Sequence, residues 1–157
     1  MEFFLSGTKQ IIDQRPLVLA VDDDEDNLHL LTYILEVLDC AVITAGNGED
    51  TLALAKKYQP DIILLDIILP DLHGIEVINR LKQDEITSLI PIIVVSALAR
   101  IQDREQAILA GCNEYITKPF NIQNLENLIR YYFVKSEKFF NNVTTSSELL
   151  VNQPIQQ

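Results

Sequence analysis

Four apolar runs in this chain each end on residues equipped for chemistry. Val18-Leu19-Ala20-Val21 runs into Asp22-Asp23-Asp24, Ile62-Ile63-Leu64-Leu65 into Asp66, Ile92-Ile93-Val94-Val95 into Ser96, and Tyr115-Ile116-Thr117 into Lys118-Pro119. If the runs are neighbouring parallel strands, their carboxyl ends gather carboxylates, a hydroxyl and an ammonium in one crevice, where open α/β sheets bind ligands. Such a set suits a magnesium ion and a phosphoryl group. Adjacent Asp22 and Asp23 repel each other, so keeping both ionised calls for a nearby cation. Magnesium takes hard oxygen ligands and keeps several waters, which lets one acid of the pair ligate directly and the other through water.

Asp66 closes a wholly apolar run and stands as a lone carboxylate at the edge of a hydrophobic core. It is the candidate nucleophile, able to form the acyl phosphate that carboxylates make. Phosphoryl transfer asks the protein mainly for positioning and charge neutralisation, and here Lys118 supplies a cation and Ser96 a hydroxyl donor. Each has a plainer reading. Asp24, Glu25 and Asp26 suit the positive end of a helix dipole, Ser96 can cap the helix that follows it, and Lys118 can be a surface amine. His29 and His73 read as surface residues.

The elements that must position these groups follow from periodicity. Strands are expected at about 17–21, 41–45, 61–65, 91–95 and 113–116, with helices near 26–38, 49–57, 74–83, 100–110 and 121–134. This alternation is the pattern of βα units around a parallel sheet. The third and fourth runs are nearly continuous Ile, Leu and Val, as in strands covered on both faces. Leu28, Leu31, Ile34, Leu35 and Leu38 mark a buried stripe on the first helix. Ile122, Leu125, Leu128, Ile129, Tyr132 and Phe133 do the same on the last. Tyr131, Phe139 and Phe140 add aromatics at or past its end, and they read as packing or as a homodimer face.

With 157 residues, 48% of them hydrophobic, the chain supports one domain with a real core. The division expected is an N-terminal extension (1–15), the domain (16–134) and a partly mobile C-terminal extension (135–157). A formal net charge of −11 argues against direct nucleic-acid binding, which depends on Lys and Arg to neutralise phosphates. Cys40 and Cys112 lack the spacing of a zinc site or a disulfide framework, and they read as small buried side chains in a reducing compartment. The start, Met1-Glu2-Phe3-Phe4-Leu5-Ser6, has no basic region, and no stretch approaches a membrane span of about 20 residues. The expected location is the cytoplasm, with no membrane partner.

Across residues 16–134 the chain resembles the receiver domains of two-component response regulators. Asp22-Asp23 resembles the family's acidic pair, Asp66 with Pro70 and Gly74 its phosphoacceptor segment, and Ser96-Ala97 its switch hydroxyl. Ala110-Gly111-Cys112-Asn113-Glu114-Tyr115-Ile116-Thr117-Lys118-Pro119-Phe120 resembles its fifth-strand segment. The resemblance implies a flavodoxin-like, doubly wound α/β fold of five parallel strands in the order 2-1-3-4-5, flanked by five helices. It implies a phosphoacceptor that assists its own phosphorylation and dephosphorylation, rather than an enzyme. Magnesium would be held by Asp23, Asp66 and the backbone carbonyl of Ile68, with Asp22 acting through water. The donor would be a histidine kinase, a phosphotransfer protein or a small phosphodonor. Ser96 would move toward the phosphoryl oxygens, and Tyr115 would turn inward. That would reshape the face of the fourth helix, fifth strand and fifth helix for an unknown downstream protein. The Lys118-Pro119 bond would be cis.

Three positions depart from the commoner pattern: His73 where an acid often precedes the glycine, and apolar Ile68 and Leu98 two residues past Asp66 and Ser96. No effector domain is expected after residue 134, so the output is either protein binding or a relay or sink for phosphate. A haloacid-dehalogenase-type phosphatase also uses an Asp-x-Asp, which Asp22 and Asp24 imitate. That reading leaves Asp66 without a role and no room for a cap domain. An EF-hand loop fails too, with Asn27 at the glycine position and Tyr33 at that of the bidentate glutamate.

Overall fold

The computed structural model describes residues 14–135. Most of the expected N-terminal extension, and the C-terminal one with Phe139 and Phe140, lie outside the described residues. Five strands, β1 (Leu17–Val21), β2 (Ala41–Ala45), β3 (Ile62–Leu65), β4 (Ile92–Ser96) and β5 (Glu114–Thr117), alternate with five helices. These are α1 (Glu25–Val37), α2 (Gly48–Tyr58), α3 (Gly74–Gln83), α4 (Ile101–Ala110) and α5 (Ile122–Lys135). All strand pairs are parallel, in the order β2-β1-β3-β4-β5.

Every residue of β3 and β4 is buried, and the two-residue period of a strand deals their side chains to opposite faces. Leu19, Val21, Ile63, Leu65, Ile92 and Val94 join Ala55, Val77, Ile78, Leu81 and Ala107 of α2, α3 and α4 in one core. Val18, Ala20, Ile62, Leu64, Ile93 and Val95 join Leu31, Leu35, Leu125 and Ile129 of α1 and α5 in a second. Both faces of the sheet are therefore covered, which is why the central runs carry no polar residue.

The elements begin within a residue or so of where periodicity puts them, and side-chain hydrogen bonds set the differences. The Asp61 carboxylate accepts the Leu17 N–H at 2.7 Å, so that residue ties down β1 instead of opening β3. Asn113 accepts the Ile92 N–H at 2.9 Å through its side chain, and β5 starts one residue later. Asp24 accepts from the N–H groups of Asp26 and Asn27, capping α1. His29 is exposed on α1. The apolar face expected on α5 needs one correction: Ile122 is 52% exposed, because it sits in the first turn, while Leu125, Ile129, Tyr132 and Phe133 are buried.

Cys40 and Cys112 are free and buried. Burial pushes their thiols up to about 12 and about 11 respectively. Among the described residues no helix is long and apolar enough to cross a membrane.

Candidate functional site

The strand order reverses between β1 and β3, so a crevice opens at their carboxyl ends. The ladder continues one residue beyond the strands and fixes the backbone there. Asp22 N–H donates to Ala45 O at 3.1 Å, Asp66 N–H to Val21 O at 3.0 Å, and Lys118 N–H to Ser96 O at 2.8 Å. With Val21 level with Leu65 and Leu65 level with Val94, Asp22 and Asp66 stand side by side.

Each of Asp22, Asp23 and Asp66 offers an oxygen within 4.8 Å of the others. Lys118 reaches across from the end of β5 and donates to Asp22 Oδ2 at 2.6 Å and to Asp66 Oδ2 at 3.1 Å. Asp22 is almost wholly buried, and both of its oxygens are engaged. Oδ1 accepts the Asp24 N–H at 2.9 Å, and Oδ2 accepts Lys118 and, at 3.1 Å, the Asn27 side-chain amide. Asp23 is exposed. Asp66 is 6% exposed, and its Oδ1 accepts the Ile68 N–H at 3.1 Å. Three hard-oxygen donors with one ammonium leave an excess of negative charge in a small space, and that donor chemistry fits a magnesium ion.

The ammonium is nearer Asp22 than Asp66, and the ionisation of Asp66 reflects this. Burial disfavours its carboxylate strongly enough to outweigh the Ile68 N–H and Lys118, and neighbouring Asp22 adds repulsion, so the pKa is raised from the ordinary 3.8. Lys118 is also desolvated, which opposes its charge. The hydrogen bond it donates to Asp22 and the charge of Asp66 outweigh that, and its pKa is raised too. An acid with a raised folded pKa binds its proton more tightly in the folded chain than in the unfolded one. Ionising it therefore costs stability, and the cost is fully present above the folded value. In the absence of divalent ions, Asp66→Asn is expected to be more stable than wild type at pH 7 by about 0.5–2 kcal/mol. The gap should close as pH falls through the raised value toward 3.8. Urea midpoints across that range check this, and a gap that widens on acidification would overturn it.

Ser96 is fully buried at the end of β4, and its Oγ accepts the Leu98 N–H at 3.2 Å. It does not cap the next helix, whose N-cap is Arg100. Tyr115 is packed inward, 7% exposed, with its hydroxyl donating to Leu98 O at 2.7 Å. The side chain of Ile68 is half exposed at the mouth. The Lys118-Pro119 peptide is cis. His73 is the N-cap of α3, its Nδ1 accepting the Ile75 N–H at 3.2 Å, the job an acid would do there.

Two contributors went unread in the sequence. Asn27 lies four residues before Leu31 and seven before Ile34, a polar side chain in line with the buried stripe of α1, and that interruption was the available signal. Asp71 accepts the N–H groups of Gly48 and Glu49 at 2.7 and 2.9 Å, fastening the loop after Asp66 to the start of α2.

Residues 18–130 match the model of the response regulator receiver domain family. The polar-differentiation response regulator DivK of Brucella ovis is 37% identical over 115 residues, covering 73% of this chain and 94% of that protein. The DNA-binding dual master transcriptional regulator RpaA of Synechocystis sp. is 34% identical over 140 residues, 89% of this chain. The match takes in only 58% of RpaA's own length. Among solved structures, a putative response regulator from Chloroflexus aurantiacus superposes with a TM-score of 0.72 at 30% identity, covering 75% of this chain and 97% of that one. The receiver domain of the sensor histidine kinase PA1611 from Pseudomonas aeruginosa, solved with a magnesium ion coordinated in its active site cleft, gives 0.71 at 29% identity over the same shares.

Proposed function

The chain belongs to the response regulator receiver family, and on that premise we propose that Asp66 accepts a phosphoryl group from a histidine kinase or phosphotransfer protein and that the modification changes a protein-binding face. Receiver domains are phosphoacceptors in phosphorelay signalling, and this chain would assist its own phosphorylation and dephosphorylation. The observation that carries the reading is the Lys118 ammonium bridging Asp22 and Asp66 beside an exposed Asp23.

In the reaction, an Asp66 oxygen attacks phosphorus as the bond from phosphorus to the donor's histidine nitrogen breaks, and the nitrogen keeps the electron pair. Lys118 then pairs with the phosphoryl oxygens, and Ser96 turns its hydroxyl toward them, giving up the Leu98 N–H. Asp23, Asp66 and the Ile68 carbonyl would hold magnesium. Asp22 would act through water, which agrees with the full engagement of its oxygens. When bound, the ion neutralises charge on the phosphoryl group and spares the three acids their mutual repulsion. Incubation with magnesium and a small phosphodonor, followed by mass measurement of wild type and Asp66→Asn, tests the assignment.

The lifetime of the acyl phosphate follows from what stands at the mouth. Ile68 and Leu98 carry no amide or carboxylate to orient an attacking water, so the phosphorylated form is expected to be long-lived. Ile68→Asn should hasten its decay by about tenfold, equivalent to 1.4 kcal/mol of barrier. An unchanged or slower decay in the variant would count against the idea.

The output we assign to the face of α4, β5 and α5, for a downstream protein in the cytoplasm and without direct nucleic-acid contact. Comparing partner binding with and without a stable phosphate mimic separates this from a phosphate relay or sink, which would show no difference.

A further inference from the structure

β5 is an edge strand, so a large side chain on it relies on flanking helices for cover. The ring of Tyr115 finds that cover in Arg104 of α4, whose guanidinium carbon lies 5.2 Å from the ring centroid. At its other end the phenol donates to Leu98 O at 2.7 Å, while the Leu98 N–H donates to Ser96 Oγ at 3.2 Å. A single residue is therefore tied through its N–H to the hydroxyl at the end of β4 and through its carbonyl to the tyrosine of β5. Neighbouring Asp103 is engaged by Arg100, with Oδ1 and Oδ2 at 3.0 and 3.1 Å from the guanidinium. The charge on Arg104 thus faces a π-surface instead of that carboxylate.

Resting on the receiver reading, we propose that Arg104 is a positioning residue that holds Tyr115 in its inward rotamer, so that this one contact sets how readily the face of α4 and β5 responds to Ser96. The ring has two ways to leave the core, breaking its hydrogen bond to Leu98 or losing its cationic cover. Only the second can be changed without touching the site. A cation over an aromatic ring at an exposed position shifts a population by about 2- to 5-fold. Alanine keeps the helix intact, because it is the better helix former.

The test is fluorine NMR of protein labelled with 3-fluorotyrosine, the Tyr115 signal being assigned from its loss in Tyr115→Phe. In Arg104→Ala, broadening of that signal by a soluble paramagnet should rise by about 2- to 5-fold over wild type. Arg104→Lys, which keeps a cation, should recover part of the difference. A Tyr115 signal in Arg104→Ala that is indistinguishable from wild type, in a variant with an unchanged melting curve, would overturn the proposal. A second arm adds magnesium and a small phosphodonor. Wild type and Arg104→Ala should label equally at Asp66, and if neither labels, the receiver reading fails while the rotamer result stands on its own.

Discussion

Asp66→Asn is expected to abolish phosphoryl incorporation while leaving the fold intact and more stable. Wild type, given magnesium and a small phosphodonor, should gain one phosphoryl mass, and the variant none above background. The loss is complete because an amide oxygen is too weak a nucleophile to displace the donor, and among the described residues the two neighbouring carboxylates of the crevice are not placed to substitute. Asp22 has both oxygens committed to Asp24, Asn27 and Lys118, and Asp23 is exposed, outside the reach of Lys118 as far as the described contacts go. The gain in stability has the same origin as the reactivity. A carboxylate kept at the edge of a core, beside two other acids and sharing with Asp22 the one ammonium that reaches it among the described residues, is poorly solvated and poorly neutralised. Replacing it relieves that cost and removes the chemistry together. Labelling of the variant at the wild-type level would remove Asp66 from its proposed role, whatever the fold.

Much of this arrangement could be read from residue order, because the features involved are local. A buried parallel strand needs an unbroken apolar run, and such a run ends where the chain meets the crevice. Asp22, Asp66 and Ser96 were therefore visible as the first polar residue after each run, and Lys118 as the residue that closes the short Tyr115-Ile116-Thr117 segment. What could not be read were contacts set by register and by the return of a helix over the sheet. Asn27 meets Asp22 only because α1 begins on a capping Asp24 and turns back across the end of β1. The bonds that the N–H groups at the start of α2 donate to Asp71 join residues more than twenty apart that share no periodic pattern. Tyr115 was expected to turn inward on phosphorylation. Its inward packing here depends on Leu98 and Arg104, one in a loop and one on a neighbouring helix, and neither is implied by an aromatic residue on an edge strand.

Gly74→Ala should be the most damaging single-carbon change near the site. Gly74 opens α3, and its N–H donates to Ile67 O at 2.7 Å, drawing the start of the helix against the segment that carries Asp66. A Cβ there would lie 2.5 Å from Ile67 Cα, 2.9 Å from Ile67 O and 3.1 Å from Asp66 O, all backbone atoms with no rotamer to yield. The close approach, not an unusual dihedral, is what demands glycine. Either α3 lifts away from Val77 and Ile78's packing in the core, or the chain at Asp66 shifts relative to Lys118. Overpacking of this kind costs about 1–3 kcal/mol and sometimes more. A displacement of about 1 Å at reacting groups slows a reaction by about a hundredfold. Gly46→Ala is the control, since its Cβ would meet only Asp22 O, at 3.9 Å, and it should change stability by less than about 0.5 kcal/mol. Urea unfolding of both variants, with their initial rates of labelling, separates the two responses. If Gly74→Ala matches Gly46→Ala in both measurements, the backbone contact between α3 and the Asp66 segment is not what positions the acceptor.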